Sequence, residues 1–269
     1  MTGPRAHALL HEHVHRTGHH SMISRAPIPP GPHAQTGLAV DHVGVVVHDL
    51  AREIGTWREL GFSVSDPVPL MGADTAGRPV PLGQSSAHVV FENGYVELSS
   101  PVPGSGNHLE RYLAAGEGVR ILVLAASDAA AARDAVATAR PDCAATRPAS
   151  RAIRVAGRDE IARFVWFPLP VDVVPDVLSA VVEHRTPEFV FHASLVDHSN
   201  GARRIARFLV RGDAGALALP ALPRFVGRDV PELARCGLDG APVLTGFVLA
   251  GAADDGRDEI YFSLLPPAS

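Results

Sequence analysis

The sequence predicts an α+β chain built from paired βαβββ modules and followed by a partial third module. Three observations carry this expectation. A valine-rich segment precedes a capped amphipathic helix over 39–60. Two apolar runs flank Asn93-Gly94 as the arms of a hairpin. The same element order then starts again near residue 119, and a repeat of this size has to be recognised before any fold is argued.

The elements follow in chain order. Ala39 to Val47 (AVDHVGVVV) reads as a strand, because β-branched side chains suit a pleated, half-buried surface. Asp49 is placed to cap the next segment, in which Leu50, Ile54, Trp57 and Leu60 share one helical face and Gly61 supplies the stop. A strand over Phe62–Asp66 and a Gly/Pro-rich loop to about Gln84 come next. Ser86–Phe91 and Tyr95–Ser99 form a hairpin across Glu92-Asn93-Gly94, since Asn-Gly is a strong turn signal. The second module opens with a strand at Val119–Ala126. Asp128 caps an Ala-rich helix to about Ala139, which must end before Pro141. Strands are expected at Ala152–Val155, Ile161–Phe167 and Phe189–Ser194, with a short helix within Val171–His184. Superposing VVVHD (45–49) on LAASD (124–128) lays one module on the other. In the third part, Arg204–Val210 reads as a strand and Asp229–Cys236 as a short helix. Val243–Ala250 and Glu259–Leu265 form a hairpin around the polar Ala253–Asp258 turn. The domain organisation is therefore a His/Pro-rich leader at 1–36, a first module at 37–104, a second at 105–199, and a partial third module at 200–269 on the same domain.

Composition removes several functions. All 24 basic residues are arginine and lysine is absent. No lysine means no Schiff base, hence no pyridoxal phosphate, and no P-loop for a nucleotide cofactor. A net charge of −5 without a basic cluster argues against a nucleic-acid partner. No apolar run is long enough to span a membrane, and no secretory core begins the chain. Cys143 and Cys236 form no motif and read as unpaired thiols of a cytoplasmic protein. Seven of the 14 histidines lie in the leader, where Pro-rich composition predicts disorder.

DHVGVVVHDL (41–50), with a helix ending LGF (60–62), resembles the opening of glyoxalase-like proteins of the vicinal oxygen chelate superfamily. NGYVELSS (93–100) resembles the closing strand of the same module. HRTPEFVF (184–191) and DHSNGA (197–202) resemble features of a bacterial subgroup. The resemblance spans about residues 38–210. It implies modules of the glyoxalase/bleomycin-resistance/dioxygenase type forming a curved sheet around a cavity, with metal ligands on the first and fourth strand of each module.

That resemblance points to His42 and Glu97 as metal ligands, and strand alternation agrees by setting His42 with Gly44 and Glu97 with Tyr95 on shared faces. Laying GYVELS on FVFHAS brings His192 opposite Glu97. Laying DHVGVVV on RILVLAA sets Ile121, which binds no metal, opposite His42. Two imidazoles and a carboxylate with open positions suit Fe(II), Mn(II) or Zn(II). His88 and Tyr95 are the candidate catalytic groups, and Arg163 and Arg120 the candidate holders of an anionic substrate. His184 and His198 flank loops and read as exposed.

The expected function is a divalent-metal-dependent enzyme on a small oxygenated substrate, with isomerase, epimerase or lyase chemistry through an enolate. A non-heme Fe(II) dioxygenase and a metal-free sequestering protein are the alternatives, the last favoured by Ile121. A monomer or homodimer is expected, with loops 67–84, 100–118 and 220–241 setting substrate choice.

Overall fold

The computed structural model describes residues 23–26, 34–174, 176–211, 222, 225, 229–236, 243–250 and 259–263. The seven leader histidines and the Ala253–Asp258 turn lie outside these residues. In chain order the elements are β1 (Ser24–Ala26), β2 (Ala34–Val46), α1 (Leu50–Glu59), β3 (Val68–Ala73), β4 (Pro79–Val90), β5 (Tyr95–Pro101) and α2 (Leu109–Leu113). They continue with β6 (Gly118–Ala125), α3 (Ala129–Ala139), β7 (Arg147–Val155), β8 (Arg158–Pro168), β9 (Leu178–His184) and α4 (Pro187–Val190). A 3-10 turn at Ala193–Leu195 precedes β10 (Arg204–Arg211), β11 (Glu232–Cys236), β12 (Val243–Ala250) and β13 (Glu259–Ser263).

The sheet corrects the expectation of an open curved sheet. Eight strands run in the order β2-β5-β4-β3-β7-β8-β9-β6, and β6 pairs back onto β2, so the sheet closes into a barrel. Two seams join the halves. At one, β2 and β6 run antiparallel, with His42 opposite Val123 and Gly44 opposite Ile121. At the other, β3 meets β7 through the single pair Met71↔Ser150. Closure leaves these eight strands with paired neighbours on both sides.

β2 belongs to two structures. Its second half pairs with β5 and β6 in the barrel, while Ala34, Gln35 and Ala39 pair with β11. From β11 the sheet continues through β10, β12, β13 and β1. The third part of the chain thus extends the sheet from the barrel wall.

Local chemistry explains the helices. Asp49 accepts a hydrogen bond from the Arg52 N–H, and Asp128 accepts from the N–H groups of Ala130 and Ala131. On α1, Ile54 and Trp57 are buried, and the Trp57 indole N–H donates to Glu53 Oε1 at 3.0 Å. Trp57, Phe62, Phe91, Phe167 and Phe247 pack with the outward valines Val43 and Val45 into the larger core. Each fully buried side chain of this size contributes roughly 1.5–3 kcal/mol. A second core fills the barrel interior, around Tyr95, Ile121, Val123, Phe164 and Val182.

Five local expectations are corrected. Residues 62–67 are irregular, and the strand begins at Val68. The expected loop 67–84 is mostly the β3–β4 hairpin. Within 171–184 the chain forms the strand β9, not a helix; it is buried on both faces, so the alternation that marks a strand is absent. Phe189–Ser194 contains the end of α4 and the 3-10 turn rather than a strand. Glu232–Cys236 is β11, parallel to β10, where a helix was expected.

Candidate functional site

The barrel interior holds a cavity of about 100 Å³. Alternation along the strands decides which side chains reach it. β2 sends in His42, β5 Tyr95 and Glu97, and β4 Gln84, Ser86 and His88. β7 sends in Ala149 and Arg151. The opposite wall is apolar: Ile121 and Val123 from β6, Leu178, Ala180 and Val182 from β9, and Phe164 from β8.

The strand registers relate the two walls by a two-fold operation. Gly44 lies beside Glu97 across β2 and β5, and Val123 lies beside Ala180 across β6 and β9. With His42 opposite Val123 and Gly44 opposite Ile121, His42 corresponds to Ile121, Tyr95 to Leu178, and Glu97 to Ala180. The counterpart of Glu97 is therefore Ala180, not His192. His192 lies outside the cavity on the segment between α4 and the 3-10 turn, where its Nδ1 meets the Ser194 hydroxyl at 2.9 Å.

The three expected metal ligands are not brought together, and the two-fold counterparts of His42 and Glu97 are Ile121 and Ala180. Among the described residues, no three His, Cys, Asp or Glu side chains converge as a metal cluster. A chelated divalent ion does not fit this donor set.

His42 and Glu97 form a buried pair instead, with His42 Nε2 3.4 Å from Glu97 Oε2. Glu97 Oε1 accepts hydrogen bonds from Ser86 at 2.8 Å and Ser99 at 2.5 Å. Burial pushes the Glu97 pKa up, but the hydrogen bond and charge of His42 and the Ser99 hydroxyl outweigh it. The carboxyl is held well below the usual range. His42 Nδ1 donates to Asp41 Oδ1 at 2.7 Å, and Asp41 Oδ2 accepts from His184 Nε2 at 2.9 Å. Burial lowers the His42 pKa, yet hydrogen bonds to Asp41 and Glu97 reverse the sign, and it ends raised. Asp41 and Glu97 thus favour the protonated form of His42, which stacks on Tyr95 at a centroid distance of 4.1 Å.

His88 differs. Burial and the charge of Arg151 lower its pKa well below the ordinary histidine value, so it is neutral. Its Nδ1 is buried without a hydrogen-bond partner.

Both expected anion holders face away. Arg163 is exposed, because its neighbours Ala162 and Phe164 take the inward positions. Arg120 spends its guanidinium on the carbonyls of Ala115, Gly116 and Asp176. The sequence reading missed Arg151, which is 4% exposed and lines the cavity. The alternation of Ala149, Arg151, Ile153 and Val155 was the available signal, one step before the expected strand start at Ala152. His184 and His198 are also buried side chains rather than exposed ones. His198 accepts from the Ser63 N–H and faces the Val90 carbonyl.

A family model described as a glyoxalase-like domain matches residues 40–225. No curated protein matches the chain. Among solved structures, a hypothetical protein from Staphylococcus aureus aligns over 81% of this chain and 93% of its own, at 9% identity and a TM-score of 0.51, a likeness of fold alone. Methylmalonyl-CoA epimerase from Mycobacterium tuberculosis aligns over 54% of this chain and 87% of its own, at 22% identity and a TM-score of 0.35. A variant of the Streptomyces coelicolor methylmalonyl-CoA epimerase, in complex with 2-nitronate-propionyl-CoA, aligns over 54% and 94%, at 21% identity and the same score of 0.35. At those scores neither epimerase bears on the architecture.

Proposed function

The chain belongs to the glyoxalase-like domain family, and from that premise we propose that its barrel binds a small organic molecule on which Glu97 and His42 move a proton without a chelated metal. The observation that carries this reading is the buried His42–Glu97 pair, whose counterparts in the second half of the barrel are the non-ligating Ile121 and Ala180.

The two oxygens of Glu97 are unequal. Oε1 is occupied by Ser86 and Ser99, whereas Oε2 faces His42 at the longer distance of 3.4 Å. A ligand oxygen that takes over the His42 Nε2–H leaves Oε2 with a lone pair to act as base. In this scheme Oε2 removes a proton from the carbon next to a carbonyl. The electron pair passes to the carbonyl oxygen, and His42, whose protonated form Asp41 favours, holds the developing charge. Return of the proton from Glu97 to carbon completes an isomerisation or epimerisation. His42 then supplies the charge stabilisation that a divalent ion supplies in a metal-dependent version. Iron-dependent oxygenation gains no support from this donor set.

A second reading, sequestration of a small molecule, is favoured by the strongly lowered pKa of Glu97, since a weak base is a slow one. Solvent exchange separates the two. Small carbonyl compounds bound by the protein in D₂O are expected to gain deuterium beside the carbonyl, followed by NMR. Glu97→Gln is expected to abolish exchange while binding persists. Binding without exchange in the parent protein would favour sequestration. One Mn(II), Fe(II) or Zn(II) retained per chain after equilibration and desalting would overturn the metal-free mechanism.

A further inference from the structure

We infer that the cavity takes a small carboxylate whose anionic end is held by Arg151 and whose apolar end lies against the wall made by β6 and β9. This deepens the small-molecule reading above and rests on it.

Arg151 sits on β7, one residue beyond Ser150 at the narrow β3–β7 seam. It is 4% exposed and lines the cavity. Its Nη2 is buried without a hydrogen-bond partner, and among the described residues it makes no ion pair. Its guanidinium carbon lies 5.9 Å from the ring centres of both Tyr95 and Phe164, which hold the side chain within the barrel.

A buried guanidinium cannot escape its charge by losing a proton, because arginine stays protonated in proteins. Leaving such a cation unpaired is costly unless an anion completes it. The anions already present do not serve. Glu97 is engaged by Ser86, Ser99 and His42, and Asp41 by His42 and His184. The planar fork of arginine matches a carboxylate better than a neutral carbonyl or hydroxyl. At about 100 Å³ the cavity is well below the roughly 300–1,000 Å³ of sites for drug-sized ligands, so the guest is small. Ile121, Leu178, Ala180 and Val182 offer the rest of that guest only hydrocarbon contact.

Calorimetric titration of butanoate and hexanoate, each beside its primary amide, tests this. The acid is expected to bind the parent protein at least tenfold more tightly than the amide. Arg151→Met, which keeps length and removes charge, is expected to erase that preference, and Arg151→Lys to retain part of it. A structural arginine would destabilise the fold when lost. Arg151→Met is instead expected to melt at or above the parent temperature without ligand, and a markedly lower Tm overturns the assignment. Equal binding of acid and amide overturns the anchor while the small-molecule reading stands. Absence of binding by every member of the series overturns the carboxylate class, and deuterium exchange with neutral carbonyl compounds then decides the wider reading.

Discussion

Alanine in place of Gly44 is expected to strain the β2–β6 seam that closes the barrel. An added Cβ would lie 2.6 Å from Ile121 Cδ1, 2.7 Å from its Cβ and 3.0 Å from its Cγ1. The outer atoms can rotate away. The Ile121 Cβ is fixed to its backbone, so the strands themselves must part. Opposed Cβ atoms in ordinary antiparallel pairs sit about 4.5–5.5 Å apart, and relief needs a shift on the order of 2 Å. The register already slips between Gly44 and Val45, which marks how closely the two strands approach. Overpacking of this kind costs roughly 1–3 kcal/mol. In a chain of this size 1 kcal/mol moves Tm by about 2–4 °C, so the expected fall is about 2–12 °C. A double-mutant cycle in urea isolates the cause. Ile121→Ala keeps the offending Cβ and should leave the Gly44→Ala cost nearly intact. Ile121→Gly removes it and should relieve most of the cost. Equal relief from both partners would refute the reasoning, because the obstacle would then be the flexible end of the isoleucine. An unchanged Tm for Gly44→Ala would refute it outright.

Two other perturbations test the polar network and the strap after the barrel. Asp41→Asn offers one acceptor oxygen where two histidines need one each, and is expected to lower the His42 pKa, read by NMR titration; an unmoved His42 would show that Asp41 does not hold its charge. His198→Ala is expected to cost roughly 1–3 kcal/mol near neutral pH by leaving the Ser63 N–H and Val90 carbonyl unpaired. Burial holds the His198 pKa below its ordinary value, against the Val90 and Asp197 contacts that raise it. The folded state therefore resists a proton that the unfolded chain accepts. This stabilisation is full above about pH 6.5 and is lost as pH falls toward the folded pKa, at up to about 1.4 kcal/mol per pH unit. The gap between parent and His198→Ala should narrow on acidification, and urea curves that stay parallel between about pH 7 and 5 would count against it.

The first module was largely readable because its signals are local. Asp49 caps α1, and Asn93-Gly94 closes the β4–β5 hairpin, although by a mechanism other than a left-handed glycine. Asn93 grips both the N–H and the carbonyl of Ile205, and a Cβ at Gly94 would stand 3.1 Å from the Asp41 carbonyl. The second module was harder because β9 is buried on both faces and shows no alternation. With β9 misread as a helix, the closing strand was set too late in the chain, and His192 inherited a place that belongs to Ala180. Arg151 was passed over for a similar reason, since a strand begun at Ala152 leaves it in a loop. Barrel closure depends on partners as distant as Met71 and Ser150, and no local pattern encodes such a meeting.

That last pairing has a consequence of its own. A closed staved vessel admits a guest only where a stave can spring, and local opening is easiest where backbone bonds are fewest. β2 and β6 share six matched positions, whereas β3 and β7 share one. The seam between β3 and β7 is where the wall would part at least cost. Leu70 stands on one jamb and Arg151 on the other, so an entering anion would meet its counter-charge at the threshold.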